Sequence, residues 1–342
     1  MSFLRPVERC AILRRCRLAE FADLTVEGLA QMVGRRLGLR RRLLPPPAWL
    51  ERGRADAQRL TAGVWRCTFL WEQGYPRILR EIYDPPVVLF HRGGPLPPAA
   101  AALVAVVGTR QPTGNGRWTA YAFGFELARA GVPSVSGLAR GVDLEVHRGS
   151  LAGWRGDGCA TVAVLGCGID RIYPASSREV AMRVMRAGCL VSEFAPGAAP
   201  FAHHFPQRNR IVAGLSRAVV VIEAPAKSGA LITARCAAEQ GRDVMIAAGG
   251  LAGARAAGGA TMAEEGATSV VDAGDVLREI GVQSPPGAGS RLRAVQPPPG
   301  QRDTGSWLAR MFAAEQDRQV AAADGGVAAA DNENGTEHGT GR

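Results

Sequence analysis

Lys227 is the only lysine in a chain that holds 41 Lys and Arg residues together, and it stands in the run Lys227-Ser228-Gly229, four residues ahead of which the chain reads Glu223 and two residues after which it reads Leu231-Ile232-Thr233. A strand, a glycine-containing loop and the start of a helix make an anion site, because unpaired backbone N–H groups and the positive end of the helix dipole point at the loop. Three further stretches carry the same chemistry: Gly108-Thr109-Arg110, then Ser136-Gly137-Leu138-Ala139-Arg140-Gly141-Val142-Asp143, then Phe205-Pro206-Gln207-Arg208-Asn209-Arg210. Arginine forks grip phosphate oxygens bidentately and a lysine supplies a point charge. Glycines let the backbone approach a ligand, and Ser136, Ser228 and Thr233 offer hydroxyls. The reading is a phosphate-bearing ligand, single-stranded DNA first among the candidates.

Each group also has a bland reading. Arg208 or Arg210 could be a buried structural arginine tied to carbonyls or to Glu223, since buried charges are normally paired. Asn209 is expected to order its loop through backbone hydrogen bonds rather than to read a base. Asp143 and His147, four apart on one helical face, resemble an acid–base pair, but no nucleophile or metal-ligand spacing accompanies them and a structural hydrogen bond is the better expectation. Adjacent His203 and His204 project differently, which argues against joint chelation of a metal. Phe205 serves equally well as a stacking platform for a base or as a core contact.

The elements that must position these loops alternate regularly. Apolar, β-branched runs at Leu103 to Val107, Val132 to Ser136, Thr161 to Leu165, Leu190 to Glu193, Val219 to Ile222 and Asp243 to Ala247 read as strands. Between them lie helical patterns, among them Trp118, Tyr121, Ala122, Phe125 and Ala128 on one face, Ser177 to Ala187, and Leu231 to Gln240. A short helix over Tyr75 to Tyr83 and a strand over Val87 to Phe90 precede them, and a weaker pair, Thr268 to Val271 and Asp275 to Ile280, follows. This alternation predicts an α/β, extended Rossmann-like open and mostly parallel sheet, with ligand loops at the C-terminal edge of the strands. Gly108 to Gly114 does not supply G-x-G-x-x-G, so no dinucleotide is expected. Residues 1–62 read as a small basic helical domain, with the run Arg40 to Arg42 as a solvated helix end; residues 63–283 form the Rossmann-like domain. Residues 284–342 read as a Pro-rich linker, a short helix over Trp307 to Arg318 and a polar, disordered tail.

At 342 residues the chain can bury a full α/β core, and its net charge of +10 fits a polyanionic partner, although an Arg-rich compositional bias accounts equally well for the surplus. The seven cysteines include no C-x-x-C pair and several fall in apolar patterns, which points to reduced thiols and a cytoplasmic setting. No run resembles a signal peptide or a membrane span, and no cofactor or metal is expected.

These motifs together resemble the DprA/Smf family of DNA-processing proteins. The matching runs are Tyr75-Pro76, Asp84 to Phe90, Val106 to Arg110, Ser136 to Asp143 with His147, Gly166 to Pro174, Ser192-Glu193, Phe205 to Ser216 and Ser228 to Ala234, in the family's order. The resemblance implies a Rossmann-like domain that binds single-stranded DNA as a homodimer and hands it to RecA, without catalysis. It carries phosphate contacts onto Arg110, Arg208, Arg210, Lys227, Ser228 and Gly229, so alanine at Arg110, Arg210 or Lys227 is expected to weaken binding and reduce its salt slope. The chain departs from the family pattern at Ala247-Ala248-Gly249, which replaces Val-Pro-Gly. It departs again at Gly258 to Ala263, which lacks the family's asparagine, and residues 284–342 offer no counterpart of a winged-helix domain. Two rivals remain. One is a nucleotide-binding or nucleotide-hydrolysing enzyme with Glu193, Glu223 or Glu239 as its acid; the other is a degenerate member kept as an interaction scaffold.

Overall fold

The computed structural model describes residues 63–251, 253 and 255–282. The expectations for the helical segment 1–62 and for the linker, short helix and tail of 284–342 lie outside the described residues.

Nine strands form one sheet: β1 (Arg66–Phe69), β2 (Val88–Gly93), β3 (Val104–Val107), β4 (Ser134–Ser136), β5 (Thr161–Val164), β6 (Cys189–Ser192), β7 (Ala218–Val221), β8 (Asp243–Ala247) and β9 (Thr268–Val270). Their order is β1-β2-β6-β5-β4-β3-β7-β8-β9. The block from β6 to β9 is parallel, as the alternation predicts, whereas β1 and β2 add an antiparallel ribbon to one edge. The central strands are buried along their whole length, which is why they read as unbroken apolar runs rather than alternating ones.

The helices among the described residues are α1 (Arg77–Arg80), α2 (Gly114–Arg129), α3 (Val142–Gly153), α4 (Arg178–Ala187), α5 (His204–Gly214), α6 (Gly229–Glu239), α7 (Ala257–Glu264) and α8 (Ala273–Glu279). Successive residues of a strand face opposite sides, and the cores divide accordingly. Ala105, Val107, Val219 and Val221 pack with Ile211 and Val212 of α5 and Ala230 and Ala234 of α6. Val104, Val106 and Val220 pack with Phe123 and Leu127 of α2, Val146 of α3 and Val276 of α8. A third cluster seats Val180 and Val184 of α4 on Ala163 and Leu190.

Strand order places the chemistry. From β3 the crossovers proceed outward through β4 and β5, while from β7 they proceed the other way to β8 and β9. The loops after β3 and β7 therefore diverge at a topological switch point, where open α/β sheets form a crevice beyond the strand ends. The helices α2 and α3 pack closely enough that Gly124, Gly149 and Gly153 face backbone of the opposing helix, with a Cβ at Gly149 directed into the Tyr121 carbonyl. The five cysteines among the described residues (Cys67, Cys159, Cys167, Cys189, Cys236) are free. No helix among the described residues is long and apolar enough to cross a membrane.

Candidate functional site

A cleft of about 550 Å³ opens at that switch point. Gly108, Thr109 and Arg110 line it from the loop after β3, Gly137 from the loop after β4, and Lys227, Ser228 and Gly229 from the loop after β7, with Thr233 one turn into α6. Phe205, Arg208 and Asn209 reach it from α5. Four stretches read separately in the sequence, three of them loops and the fourth part of α5, therefore meet at one edge. Arg110 and Lys227 are exposed, whereas Arg208 is 4% exposed and Thr233 3% exposed.

The start of α6 is set locally. Ser228 takes an extended conformation as N-cap and its hydroxyl accepts from the Ala230 N–H at 3.2 Å. That bond satisfies one of the amides a helix leaves open at its first turn. Asn209 donates from Nδ2 to the Gly229 carbonyl at 3.3 Å, tying α5 to this turn and ordering the backbone as expected. Across the cleft, the Thr109 N–H donates to the Glu223 carbonyl at 2.8 Å. The Glu223 carboxylate accepts from the Thr113 N–H at 2.9 Å and from its hydroxyl at 2.5 Å. Glu223 thus fixes the loop between β3 and α2.

The Arg208-Asn209-Arg210 triplet lies inside α5, not in a loop ahead of a helix, and this corrects its interpretation. Phe205, Arg208, Asn209 and Val212 share the cleft-facing side at helical spacing, and Arg210 falls off it. Arg210 instead pairs with Glu193 at 2.7 Å and Asp84 at 3.2 Å, with its side chain 13% exposed. Burial alone would lower its pKa; the two carboxylates outweigh that and raise it. The structural alternative therefore describes Arg210, with Asp84 and Glu193 as partners in place of Glu223. Arg208 combines both roles, because it lines the cleft while its guanidinium lies under Gly137 and donates to the Val164 carbonyl. Its Nε–H has no hydrogen-bond partner among the described residues. Burial, with repulsion from Arg110, pushes its pKa down to about 10 against the pull of Asp143, so it stays charged at neutral pH.

Three other residues of the second loop take supporting places. Ser136 is fully buried and its hydroxyl donates to the Val106 carbonyl at 2.8 Å, which withdraws it from any ligand. Arg140 is exposed outside the cleft lining, with Nε donating to the Ser176 hydroxyl at 3.3 Å. Gly141 has φ +83, and a side chain there would strike the backbone of Thr109 and Arg110. It acts as a spacer through which α3 approaches the first loop.

Asp143 and His147 are structural, as expected. Asp143 accepts from the Gly137 and Ala139 N–H groups at 3.1 and 3.2 Å, so it shapes the loop. Burial raises its pKa, opposed by Arg208 and these hydrogen bonds. His147 is fully buried with Nδ1 2.8 Å from the Thr161 hydroxyl. The three candidate acids of the enzyme reading lie outside the cleft lining. Glu193 is engaged by Arg210, Glu223 holds Thr113, and Glu239 is exposed on the far turn of α6.

Sequence reasoning missed Gln111 and Arg255, which also line the cleft. Arg255 follows β8, whose C-terminal end opens at the same edge, and that placement was the available signal. Beside it, the stretch that departs from the family pattern forms α7, where the Gly258 N–H donates to the Ala224 carbonyl at 2.9 Å and braces the loop after β7.

A doubly wound sheet with a cation-bearing, glycine-walled cleft at its switch point defines a Rossmann-like protein. The chain belongs to the DNA recombination-mediator protein A family, whose model matches residues 66–281. It is 42% identical to the Smf protein of Synechocystis over 229 residues, 64% of this chain and 53% of that one. With the DNA processing protein DprA of Bacillus subtilis it shares 38% identity over 206 residues, 60% of this chain and 68% of that one. The chain thus spans about half the length of the first relative and about two thirds of the second. The solved DNA processing protein A of Streptococcus pneumoniae superposes with a TM-score of 0.66 at 32% identity, covering 81% of this chain and 94% of that one. That of Helicobacter pylori, described for its single-stranded DNA binding mode, gives 0.55 at 26% identity, covering 63% and 95%.

Proposed function

We propose that this chain binds single-stranded DNA by its sugar–phosphate backbone in the switch-point cleft and serves as a recombination mediator. In that role it shields the strand and delivers it to RecA, in the cytoplasm, without catalysing a reaction itself. The observation that carries the reading is the meeting of exposed Arg110 and Lys227 with the α6 N-terminus over the buried Arg208 guanidinium. Exposed cations exchange counterions with a polyanion, and a helix start receives phosphate. The Helicobacter pylori relative, described for single-stranded DNA binding, supports the choice of polyanion. A homodimer fits the role physically, since two clefts on one strand raise effective affinity without new contacts.

Filter-binding titration with an unstructured oligonucleotide at two salt concentrations tests this. Binding is expected to weaken steeply with salt and to vary little with sequence. Affinity that ignores salt, or release of base from a nucleoside monophosphate by the purified protein, would overturn the reading in favour of a nucleotide enzyme.

A further inference from the structure

Beside the cleft lies a cluster of rings that neither the phosphate contacts nor the core requires. Tyr173, in the loop after β5, is 50% exposed, and Phe201, just before α5, is 56% exposed. Large exposed aromatics are few among the described residues, Tyr83 being the third. Tyr173 lies 5.5 Å from the Phe205 ring at 42°. Phe205 rests on Gly166, where a Cβ would come within 2.8 Å of it, and also lines the cleft. One residue before it, His204 stacks on Phe194 at 4.0 Å and 20°. Phe201 meets the His204 edge at 5.3 Å and lies parallel to His203 at 5.8 Å and 8°. The segment bearing these rings is held in place, since Gly168 N–H donates to the Ala198 carbonyl at 3.0 Å and Gly197 N–H to Asp170 at 2.7 Å.

We infer that these rings form a base-stacking track, continuous with the cleft through Phe205, that takes the unpaired bases of the strand whose phosphates the cleft holds. The inference rests on the proposed DNA-binding role and adds to it a second kind of contact. Phosphates have no π-face, and bases do; aromatic platforms beside a basic groove therefore accept any unpaired base and reject a duplex, whose bases are already stacked. Two exposed places are offered, one at Tyr173 with Phe205 and one at Phe201 with His203. An occupant of this chemistry is favoured over an apolar peptide because the track opens directly onto the arginine- and lysine-bearing cleft.

The test compares an oligothymidylate of about 12 nucleotides, within the span of common single-strand sites, with an abasic deoxyribose–phosphate strand of equal length and charge. The wild-type protein is expected to prefer the base-bearing strand. Tyr173→Ala and Phe201→Ala should each lower oligothymidylate affinity about fivefold, the lower end of the effect of removing one stacking ring, and leave abasic binding unchanged. Tyr173→Phe and Phe201→Tyr, which keep a ring, should retain the preference and show that the fold is intact. Alanine variants that bind oligothymidylate as the wild type does, or that lose both strands equally, overturn the track while leaving the cleft standing. Failure of the wild-type protein to bind either strand overturns both readings.

Discussion

Arg208 and Arg210 sit two positions apart on α5, about 200° around its axis, and their surroundings differ accordingly. One guanidinium underlies the cleft; the other closes an ion-pair cluster with Asp84 and Glu193. Arg210→Ala leaves those carboxylates facing a low-dielectric interior, and breaking a buried pair costs about 3–5 kcal/mol. The denaturant midpoint should fall accordingly while the salt slope for an oligonucleotide stays unchanged; a variant as stable as the wild type would sink the pairing argument. Exposed Arg110 and Lys227 should behave in the opposite way. Arg110→Ala or Lys227→Ala should shift stability by no more than about 0.5 kcal/mol. Each should weaken binding to every sequence and reduce the salt slope by about one. Unchanged slopes in both would remove the cleft from the binding surface. Residue type and family resemblance made all four cations look alike. What separates them is a helical angle, which residue type alone does not show.

The cleft loops keep their spacing because the elements behind them pack backbone to backbone. Gly124, Gly149 and Gly153 let α2 and α3 approach until no side chain fits between them, and these helices begin where the Arg110 and Gly137 loops end. Gly149→Ala points a methyl at the Tyr121 carbonyl, which belongs to a helix and cannot swing aside. Overpacking of this kind costs about 1–3 kcal/mol, and separation of the two helices should weaken oligonucleotide binding as well. Thermal unfolding and a binding titration of one preparation check both; an alanine accommodated without loss of either would show the contact to be loose. The strands beneath these helices were legible because burial on two faces writes continuous β-branched runs such as Ala218–Val221. The edge strand Arg66–Phe69 was not, since its mixed exposure leaves no period. Helix α7 was missed for a related reason: Ala257-Gly258-Gly259-Ala260 carries little helix propensity, and tertiary contacts at Ala224 hold it instead.

For the molecule as a whole, alternation of strand and helix was enough to specify a parallel sheet and the edge at which its loops gather. Strand order was not legible, because β2 pairs with β6 across roughly a hundred residues and no local pattern encodes such a partner. That same global burial makes the fold sensitive to acid. His147 is enclosed on every side, with Nε2 unpartnered among the described residues and Arg208 nearby. Burial first, and Arg208 second, lower its pKa to about 3. His91, 3.2 Å from the Thr68 hydroxyl, is lowered to about 4 by burial and by Arg66. In the unfolded chain both rings titrate near the ordinary value of about 6.5. Between those limits the unfolded state binds protons that the native state refuses, so stability declines as pH falls below about 6.5. Above that pH the two rings are neutral in both states and contribute no dependence. The raised carboxyl of Asp143 acts with the opposite sign, taking up a proton in the native state first, so the total profile mixes the two. Replacing His147 isolates its share: full occupancy of the effect contributes about 1.4 kcal/mol per pH unit. Denaturant midpoints followed from about pH 7 to about pH 5 should therefore fall more steeply for the wild type than for His147→Gln, whose side chain cannot take up a proton across that range. Parallel profiles would mean that the imidazole is already charged, or already hydrated, inside the folded protein.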